Sequence, residues 1–454
     1  MPDASLDSNP EVTLEKFGGD VLGATGEGLP MVLERVCQFR GKHLLVVSAL
    51  RGVTDALGEY ARTRDEAVLQ NGVVFPHQVT GVERDPEEER ALSAYVRNAA
   101  AMNSAEIIGL GEVLATNLVA YYLRRKGLDV GRVNYYDLGA DSSLHVVRPN
   151  PNFPVRARQY RPQDADPDLE ASRAIGKAVG ELLDKHDVVV APGFVARYHG
   201  DRAVTLGRGG SDTTILVYAY SLGVKRVTLW KAVEGVRTAN PDIVPSHRLV
   251  RHLTAMEGLN LTLFGGDIVN FKAMQIAAQQ GITIGVRYIK NPDVLTTIGE
   301  SREHAPQEDM PIKYVGGVRD AVMMHYNHET AIARINRFIE RNLGDFVHVF
   351  GPALSPTVVV LDAKKYMEIE DEEGWKDEDR RSVAAVGIIG EGSGEMKGAL
   401  SEAARVISDA GIVVRGTVAA TRGGTAGGYM AFFVDPQHFE RVVRLEHERF
   451  VERK

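Results

Sequence analysis

The sequence predicts an α/β protein with a mostly parallel central sheet between helices, followed by two smaller α+β units. Three observations carry that prediction. Compact apolar runs rich in β-branched residues, of which residues 43–48 (HLLVVS) are the clearest, end at turn signals such as Gly41 and Arg51-Gly52, as buried parallel strands do. Such runs alternate with helical stretches through the first two thirds of the chain. Beyond Gly299 the pattern changes, and two segments of roughly 65 residues repeat one order of elements, βαββαβ.

Residues 1–10 are polar. From Val12 a short strand runs into Gly18-Gly19. Residues 55–105 are rich in Ala, Glu, Arg and Leu and read as mainly helical, with an interruption at 71–81. Residues 109–126 carry a helical period (Leu114, Leu118, Tyr121, Leu123) that stops at Gly127. Strands are expected near 129–134, 187–191 and 225–230, with a helix over 211–221 before the last. The Pro-, Arg- and Asn-rich stretch 145–165 reads as an excursion or lid, and polar 301–311 as a linker.

In the first repeat, strands are expected at 321–325, 346–349 and 357–362, with helices at 329–342 and 363–370. In the second they fall at 383–389, 412–414 and 430–435, with helices at 399–410 and 437–449. The acidic run 368–379 between them reads as a solvated connector. The resulting division is a domain over 11–300, a linker over 301–314, and repeats over 315–380 and 381–454.

Composition removes several function classes. In 454 residues, 44% hydrophobic and 25% charged, a folded chain is expected over most of the length. Lys and Arg number 53 against 61 Asp and Glu, a net charge of -8, which argues against binding nucleic acid by bulk electrostatics. Cys37 is the single cysteine and has no internal disulfide partner, and no Cys/His spacing matches a metal site. The start, MPDASLDSNPEVTLE, lacks secretory character, and no uninterrupted apolar run approaches the ~18 residues of a membrane span. The expectation is a soluble, cytoplasmic protein without a membrane or nucleic-acid partner.

Two constellations carry chemistry. Lys16-Phe17-Gly18-Gly19 follows a strand. Its glycines let backbone N–H groups approach phosphate oxygens, and its lysine supplies a point charge. By itself the pattern is more often an ordinary turn, and no GxxxxGK[ST] loop exists in the chain. The second is more specific: Val188–Val190 leads into Pro192-Gly193-Phe194, and then comes Thr205-Leu206-Gly207-Arg208-Gly209-Gly210-Ser211-Asp212-Thr213-Thr214. Ser211-Asp212 is placed to cap the next helix, whose N–H groups would then face an anion. Arg208 can hold a carboxylate bidentately.

KFGG near the start, SALRGVTDAL at 48–57, GEVLA at 111–115, PGF…TLGRGGSDTT at 192–214 and the repeated tail together resemble aspartate kinases, of the amino-acid kinase superfamily. The likeness spans nearly the whole chain in the family's order. It implies an amino-acid kinase fold followed by two ACT domains, and transfer of the γ-phosphoryl of ATP, with Mg²⁺, to the side-chain carboxylate of L-aspartate. By the resemblance, Lys16 neutralises charge on the moving phosphoryl group and Asp212 organises that lysine and the substrate. Arg208 takes the substrate α-carboxylate and Glu112 its α-amino group. Gly18, Gly19, Asp20, Ser48, Thr54, Gly209, Gly210 and Ser211 complete the implied substrate site. These roles suit phosphoryl transfer, which depends on positioning and charge stabilisation.

The departures from the family are equally specific. Where hydroxyl residues usually follow KFGG, Asp20 and Val21 stand. Asp20 near a γ-phosphate is either a changed metal ligand or a mark of lost activity. The nucleotide segment resembling W-T-D-V-D-G-V-Y-T-A-D-P-R becomes residues 230–242, with Lys231, Ala232, Arg237 and Asp242 at the altered positions. In the later F-G-A-K motif, the lysine aimed at nucleotide phosphates is Asp267. Lys231 and Arg237 are the gains of positive charge that could stand in for it.

Gly390-Glu391-Gly392-Ser393-Gly394 lies where ACT domains carry an effector loop and fails the dinucleotide spacing at Glu395. Residues 421–429 (TRGGTAGGY) replace the family's usual effector stretch. His325, His328 and His348 cluster in the first repeat and read as exposed or satisfied histidines. Two functions fit these residues. One is an aspartate kinase-like enzyme, a homodimer or higher assembly through its ACT domains with an amino-acid effector. The other is an altered paralogue that senses an amino acid, or a kinase for a related amino acid.

Overall fold

The computed structural model describes residues 12–38, 41–74, 90, 93–94, 97–133, 148–149, 165–170, 172–198, 202–266, 268–299, 310–340, 346–375, 379–390, 398–420 and 428–452. Most of the 145–165 excursion, the linker stretch 301–309, the loop 391–397, residues 421–427 and Asp267 lie outside them. Contacts divide the chain into unit 1, Met1–Gly235 with Lys272–Thr297, and unit 2, Val236–Phe271 with Ile298–Lys454. Residues 236–271 therefore pack with the C-terminal repeats.

Unit 1 contains, in chain order, β1 (Val12–Phe17), α1 (Gly19–Leu22), α2 (Leu29–Gln38), β2 (Lys42–Val47), α3 (Val53–Thr63), α4 (Ser104–Arg125), β3 (Val130–Arg132), α5 (Arg173–Lys185), β4 (Val188–Pro192), β5 (Val195–Tyr198), β6 (Arg202–Thr205), α6 (Gly210–Leu222) and β7 (Arg226–Lys231). The chain then passes through unit 2, which adds β8 (Val236–Arg237), β9 (Leu249–Val250) and α7 (Ala255–Leu263). It returns to unit 1 with α8 (Phe271–Gln280), β10 (Thr283–Tyr288) and β11 (Asn291–Ile298).

The unit 1 strands lie in the order β11-β10-β7-β1-β2-β4-β3. Parallel pairing joins β1 to β2 and β7, β10 to β7, and β4 to β2 and β3. This is the parallel sheet expected from the apolar runs. Strands buried on both faces carry continuous Val and Leu, as Leu44, Leu45, Val46 and Val47 of β2 do. α4 starts five residues before the helical period at 109–126, because Asn103 and Glu106 form a reciprocal capping box. At 22 residues it is long and apolar enough to cross a membrane, yet 78% of its apolar window is buried inside the fold, the pattern of a core helix.

The remaining unit 2 elements are β12 (Tyr314–His325), α9 (His328–Glu340), β13 (Val347–Phe350), β14 (Thr357–Val360), α10 (Ala363–Glu373), β15 (Arg381–Ile389), α11 (Ala399–Asp409), β16 (Gly416–Ala420), β17 (Tyr429–Val434) and α12 (Phe439–His447). The strands form one sheet in the order β13-β14-β12-β15-β17-β16. Each repeat runs β-α-β-β-α among the described residues, and the two join through antiparallel pairing of their first strands, β12 and β15. The strand expected at 412–414 lies instead at 416–420. Gly411 turns the chain at φ +72°, Ile412 drops into the core, and pairing with β17 begins only at Gly416.

The acidic run is also not a mere connector. α10 continues to Glu373, Glu370 is buried against Tyr366 and Arg380, and Glu373 pairs with Arg337. Of the three histidines in the first repeat, His325 bonds Thr357 and His328 bonds the Ala353 carbonyl. His348 is buried and reaches Tyr429 through Nδ1, and burial depresses its pKa to about 4.

Candidate active site

β1 and β7 are sheet neighbours, with Lys16 beside Leu229 and Phe17 beside Trp230. Side chains alternate along a strand, so Glu15, Phe17 and Trp230 share one face and Lys16, Leu229 and Lys231 the other. The first face is an anchor. Phe17 and Trp230 stack at 6.2 Å, Trp230 Nε1 donates to Glu15 Oε1 at 2.9 Å, and Glu15 Oε2 lies 3.0 Å from His43 Nδ1. Locked on that side, both strands hold their lysines on the other side at fixed depth.

α6 packs on that second face. Asp212, in its first turn, is gripped from two sides: Lys16 Nζ lies 2.8 Å from Oδ1 and Lys231 Nζ 3.0 Å from Oδ2. Burial alone would raise the Asp212 pKa, but the two ammonium groups overcome it and hold the carboxyl at about 2. Burial and the Lys16 charge lower the pKa of Lys231, which Asp212 opposes.

The expected helix cap takes another form. Gly209, at φ +73°, is the N-cap of α6 and makes no side-chain cap bond, while Ser211 and Asp212 lie inside the first turn. The Asp212 carboxylate is engaged by lysines and is not spent on its own backbone. Ser211 Oγ instead accepts from Ser48 Oγ at 2.9 Å, joining the end of β2 to the start of α6.

Close approach explains the glycines. A Cβ on Gly19 would sit 2.7 Å from the Ala49 carbonyl oxygen, whereas one on Gly18 would come 3.4 Å from Lys16 Nζ. A Cβ on Gly193 would lie 2.5 Å from Ser211 Cβ, and one on Gly210 would lie 2.8 Å from Leu206 Cβ and 2.9 Å from Phe194 Cδ2. The backbone of Phe194 is left-handed at φ +66°, an uncommon conformation for a residue with a side chain, and its N–H donates to Thr214 Oγ1 at 2.9 Å.

Glu112 approaches from α4 and is buried. Its Oε1 accepts from Ala49 N at 3.3 Å, and its Oε2 has no hydrogen-bond partner. Burial pushes its pKa up to about 8, against the pull of the Ala49 N–H and the Lys16 charge. A buried carboxyl oxygen left without a donor is a place for an incoming one.

The structure thus brings together Lys16, Gly18, Gly19, Ser48, Glu112, Gly210, Ser211, Asp212 and Lys231. Thr54 is half-buried in the first turn of α3, and Asp20, Arg208, Gly209 and Ala232 are exposed within unit 1. Arg237, on β8 opposite Leu249, and exposed Asp242, whose N–H bonds Asn240 Oδ1 at 2.9 Å, belong to unit 2. Ala49, Phe194 and Thr214 were not singled out from the sequence although each lies within a quoted motif. Their parts are played by backbone groups and one hydroxyl, which residue type alone does not announce. Among the described residues no group of three or more His, Cys, Asp or Glu side chains converges as a metal site.

The family model described as the amino acid kinase family matches residues 11–287. Among curated proteins, the chain is 25% identical over 313 residues to chloroplastic aspartokinase 3 of Arabidopsis thaliana, covering 62% of this chain and 52% of that protein. It is 25% identical over 301 residues to the lysine-sensitive aspartokinase 3 of Escherichia coli, covering 62% of each. The matched part spans from 33% to 62% of the first curated relatives' lengths. Among solved structures, E. coli aspartokinase III in complex with aspartate and ADP superposes with a TM-score of 0.72 at 19% identity, covering 96% of this chain and 99% of that one. The fold is therefore that of an aspartokinase, with a kinase domain and ACT-like repeats.

Proposed function

The chain belongs to the amino acid kinase family, and on that premise we propose that it is an ATP-dependent aspartate kinase. The reaction moves the γ-phosphoryl group of ATP to the side-chain carboxylate of L-aspartate, giving 4-phospho-L-aspartate and ADP. The bond from phosphorus to the β,γ-bridging oxygen breaks as a bond to a carboxylate oxygen forms. The acceptor is already ionised at neutral pH, so no general base is needed.

The observation that carries this reading is the Lys16–Asp212–Lys231 cluster. Lys16, buried near the end of β1 beside Gly18, stabilises the charge on the transferring group. Asp212 holds both lysines in place. Lys231 supplies the cation that the family's F-G-A-K lysine, here Asp267, would have supplied. Glu112 Oε2, buried without a partner, receives the substrate α-ammonium group, and Arg208 receives the α-carboxylate. Thr54, Ser48, Ser211, Gly210 and the backbone N–H groups at Gly18, Gly19 and Gly209 complete the substrate contacts.

Mg²⁺ needs few protein ligands when it arrives with nucleotide phosphates, and exposed Asp20 is a carboxylate suited to that role. The bound ion would neutralise phosphate charge. Ala232, Arg237 and Asp242 remain the assigned nucleotide segment. Assembly as a homodimer through 315–454, an amino-acid effector on the repeats and a cytoplasmic setting complete the proposal.

The rewritten 230–242 segment and Asp267 favour a second reading, an amino-acid sensor without transfer. Titration calorimetry with ATP or GTP plus Mg²⁺, with and without aspartate, separates the two. Nucleotide binding supports the kinase, and amino-acid binding without nucleotide binding supports the sensor.

A further inference from the structure

Five residues beyond Lys231 the chain enters unit 2, and there the segment 236–250 is tied to the end of the second repeat. β8 and β9 close it into a short antiparallel ribbon. Thr238 is the knot. Its carbonyl accepts from Val315 N at 2.8 Å, and its Oγ1 accepts from Arg248 N at 2.9 Å. The same Oγ1 lies 2.9 Å from His447 Nε2, and His447 Nδ1 lies 2.9 Å from Glu452 Oε1. Thr238 and His447 are both fully buried.

The donors and acceptors close in one order only. An ionised Glu452 carboxylate accepts, so Nδ1 of His447 carries the proton. Nε2 is then an acceptor and receives the Thr238 hydroxyl proton, which leaves an Oγ1 lone pair for Arg248 N–H. Ser246 Oγ donates to the same Glu452 oxygen. Around this chain, Arg248 reaches the Val451 carbonyl, and Arg444 Nε donates to the Ile243 carbonyl at 2.9 Å. Ala239 and Val244 share one apolar cluster with Val442, Val443, Phe439 and Phe450. His247 and Arg248 are the other charged or titratable groups facing His447, and both disfavour its protonation.

A surface loop held only by its own turns would need no buried histidine from a helix some 200 residues later. We infer that His447 is a positioning residue for the nucleotide segment: through Thr238 it fixes the conformation of residues 236–250, and so couples the second repeat to nucleotide binding. This rests on the kinase reading above, in which 230–242 handles the nucleotide.

The test uses the full-length chain with His447→Leu, Thr238→Val and the hydrogen-bonding replacement His447→Gln. Two readouts are taken: amide hydrogen exchange over 236–250, and the KM for MgATP against the KM for aspartate. His447→Leu and Thr238→Val should speed exchange in 236–250 with β1 and β2 unchanged, and raise the nucleotide KM about tenfold with the aspartate KM unmoved. His447→Gln should restore much of both. Unchanged exchange in both variants would overturn the clamp. Faster exchange with an unchanged nucleotide KM would overturn the coupling. Wild-type protein that binds no nucleotide, with exchange rising as expected, would overturn the kinase reading and the coupling while supporting the clamp.

Discussion

Lys231 holds Asp212 from the side opposite Lys16, with its Nζ 3.0 Å from Oδ2 while the Nζ of Lys16 stands 2.8 Å from Oδ1. One carboxylate thereby fixes two cations that come from neighbouring strands. The sequence marks Lys231, with Arg237, as a cation that could stand in for the lysine replaced by Asp267. The geometry makes it part of a cluster whose members depend on one another, so its removal should be felt at Asp212 as well as at the nucleotide.

The two lysines are expected to fail differently. Lys16→Met should lower kcat by about a thousandfold or more, since its contact strengthens as charge moves onto the transferring group. Lys231→Met should raise the nucleotide KM about tenfold and leave the aspartate KM within about twofold. Steady-state kinetics with each substrate varied in turn decides it. Equal losses in both variants would merge the roles.

Gly19 and Gly18 should respond unequally to the same methyl group. At Gly19 the new Cβ meets a backbone oxygen at 2.7 Å, which cannot swing aside, whereas at Gly18 the nearest atom is the end of the Lys16 side chain at 3.4 Å. Gly19→Ala should cost about 1–3 kcal/mol of stability. Gly18→Ala should cost little stability but lower turnover by crowding the ammonium. Thermal denaturation and kcat for the two variants check this.

Much of this arrangement was legible in the sequence because it rests on backbone geometry that only certain residues satisfy. The apolar runs gave the parallel sheet, and KFGG with TLGRGGSD located Lys16 and Asp212. The repeat was visible through its period. What was not legible depended on contacts far apart in sequence. Nothing in WKAVEG says that Lys231 reaches Asp212, since that follows from the β1/β7 register and the placement of α6. IVV at 412–414 has strand composition, but the pairing partner sets where the strand begins. Residues 236–250 read as part of the kinase domain by family order, yet their bonds run to Val315 and His447.

Glu112 makes the empty protein sensitive to pH in a defined direction. Its pKa rises from 4.5 to about 8 on folding. Between those values the folded form holds more protons than the unfolded form. Its stabilising contribution is complete below pH 4.5 and lost as pH rises through 8. Glu112→Gln should therefore raise the melting temperature at pH 8 more than at pH 5, and weaken aspartate binding. Calorimetry in buffers of different ionisation enthalpy should also show proton release when aspartate binds wild type at pH 7, and none in the variant.

Glu446 offers the same logic away from the active site. It is buried in unit 2 with no partner on either oxygen, and burial together with the Glu402 charge pushes its pKa to about 8. Stability from this group too is present below pH 4.5 and lost through pH 8. Glu446→Gln should stabilise the protein at pH 8 by about 1 kcal/mol and leave nucleotide KM unchanged. Denaturant unfolding at pH 5 and pH 8 checks the sign.

The most direct test of the central claim is detection of the acyl phosphate itself. Protein incubated with L-aspartate, ATP and Mg²⁺ in the presence of hydroxylamine should yield aspartyl hydroxamate and ADP in equal amounts, with other amino acids giving far less and Lys16→Met giving none. ADP without hydroxamate, or neither product from protein that binds aspartate, would contradict the kinase account.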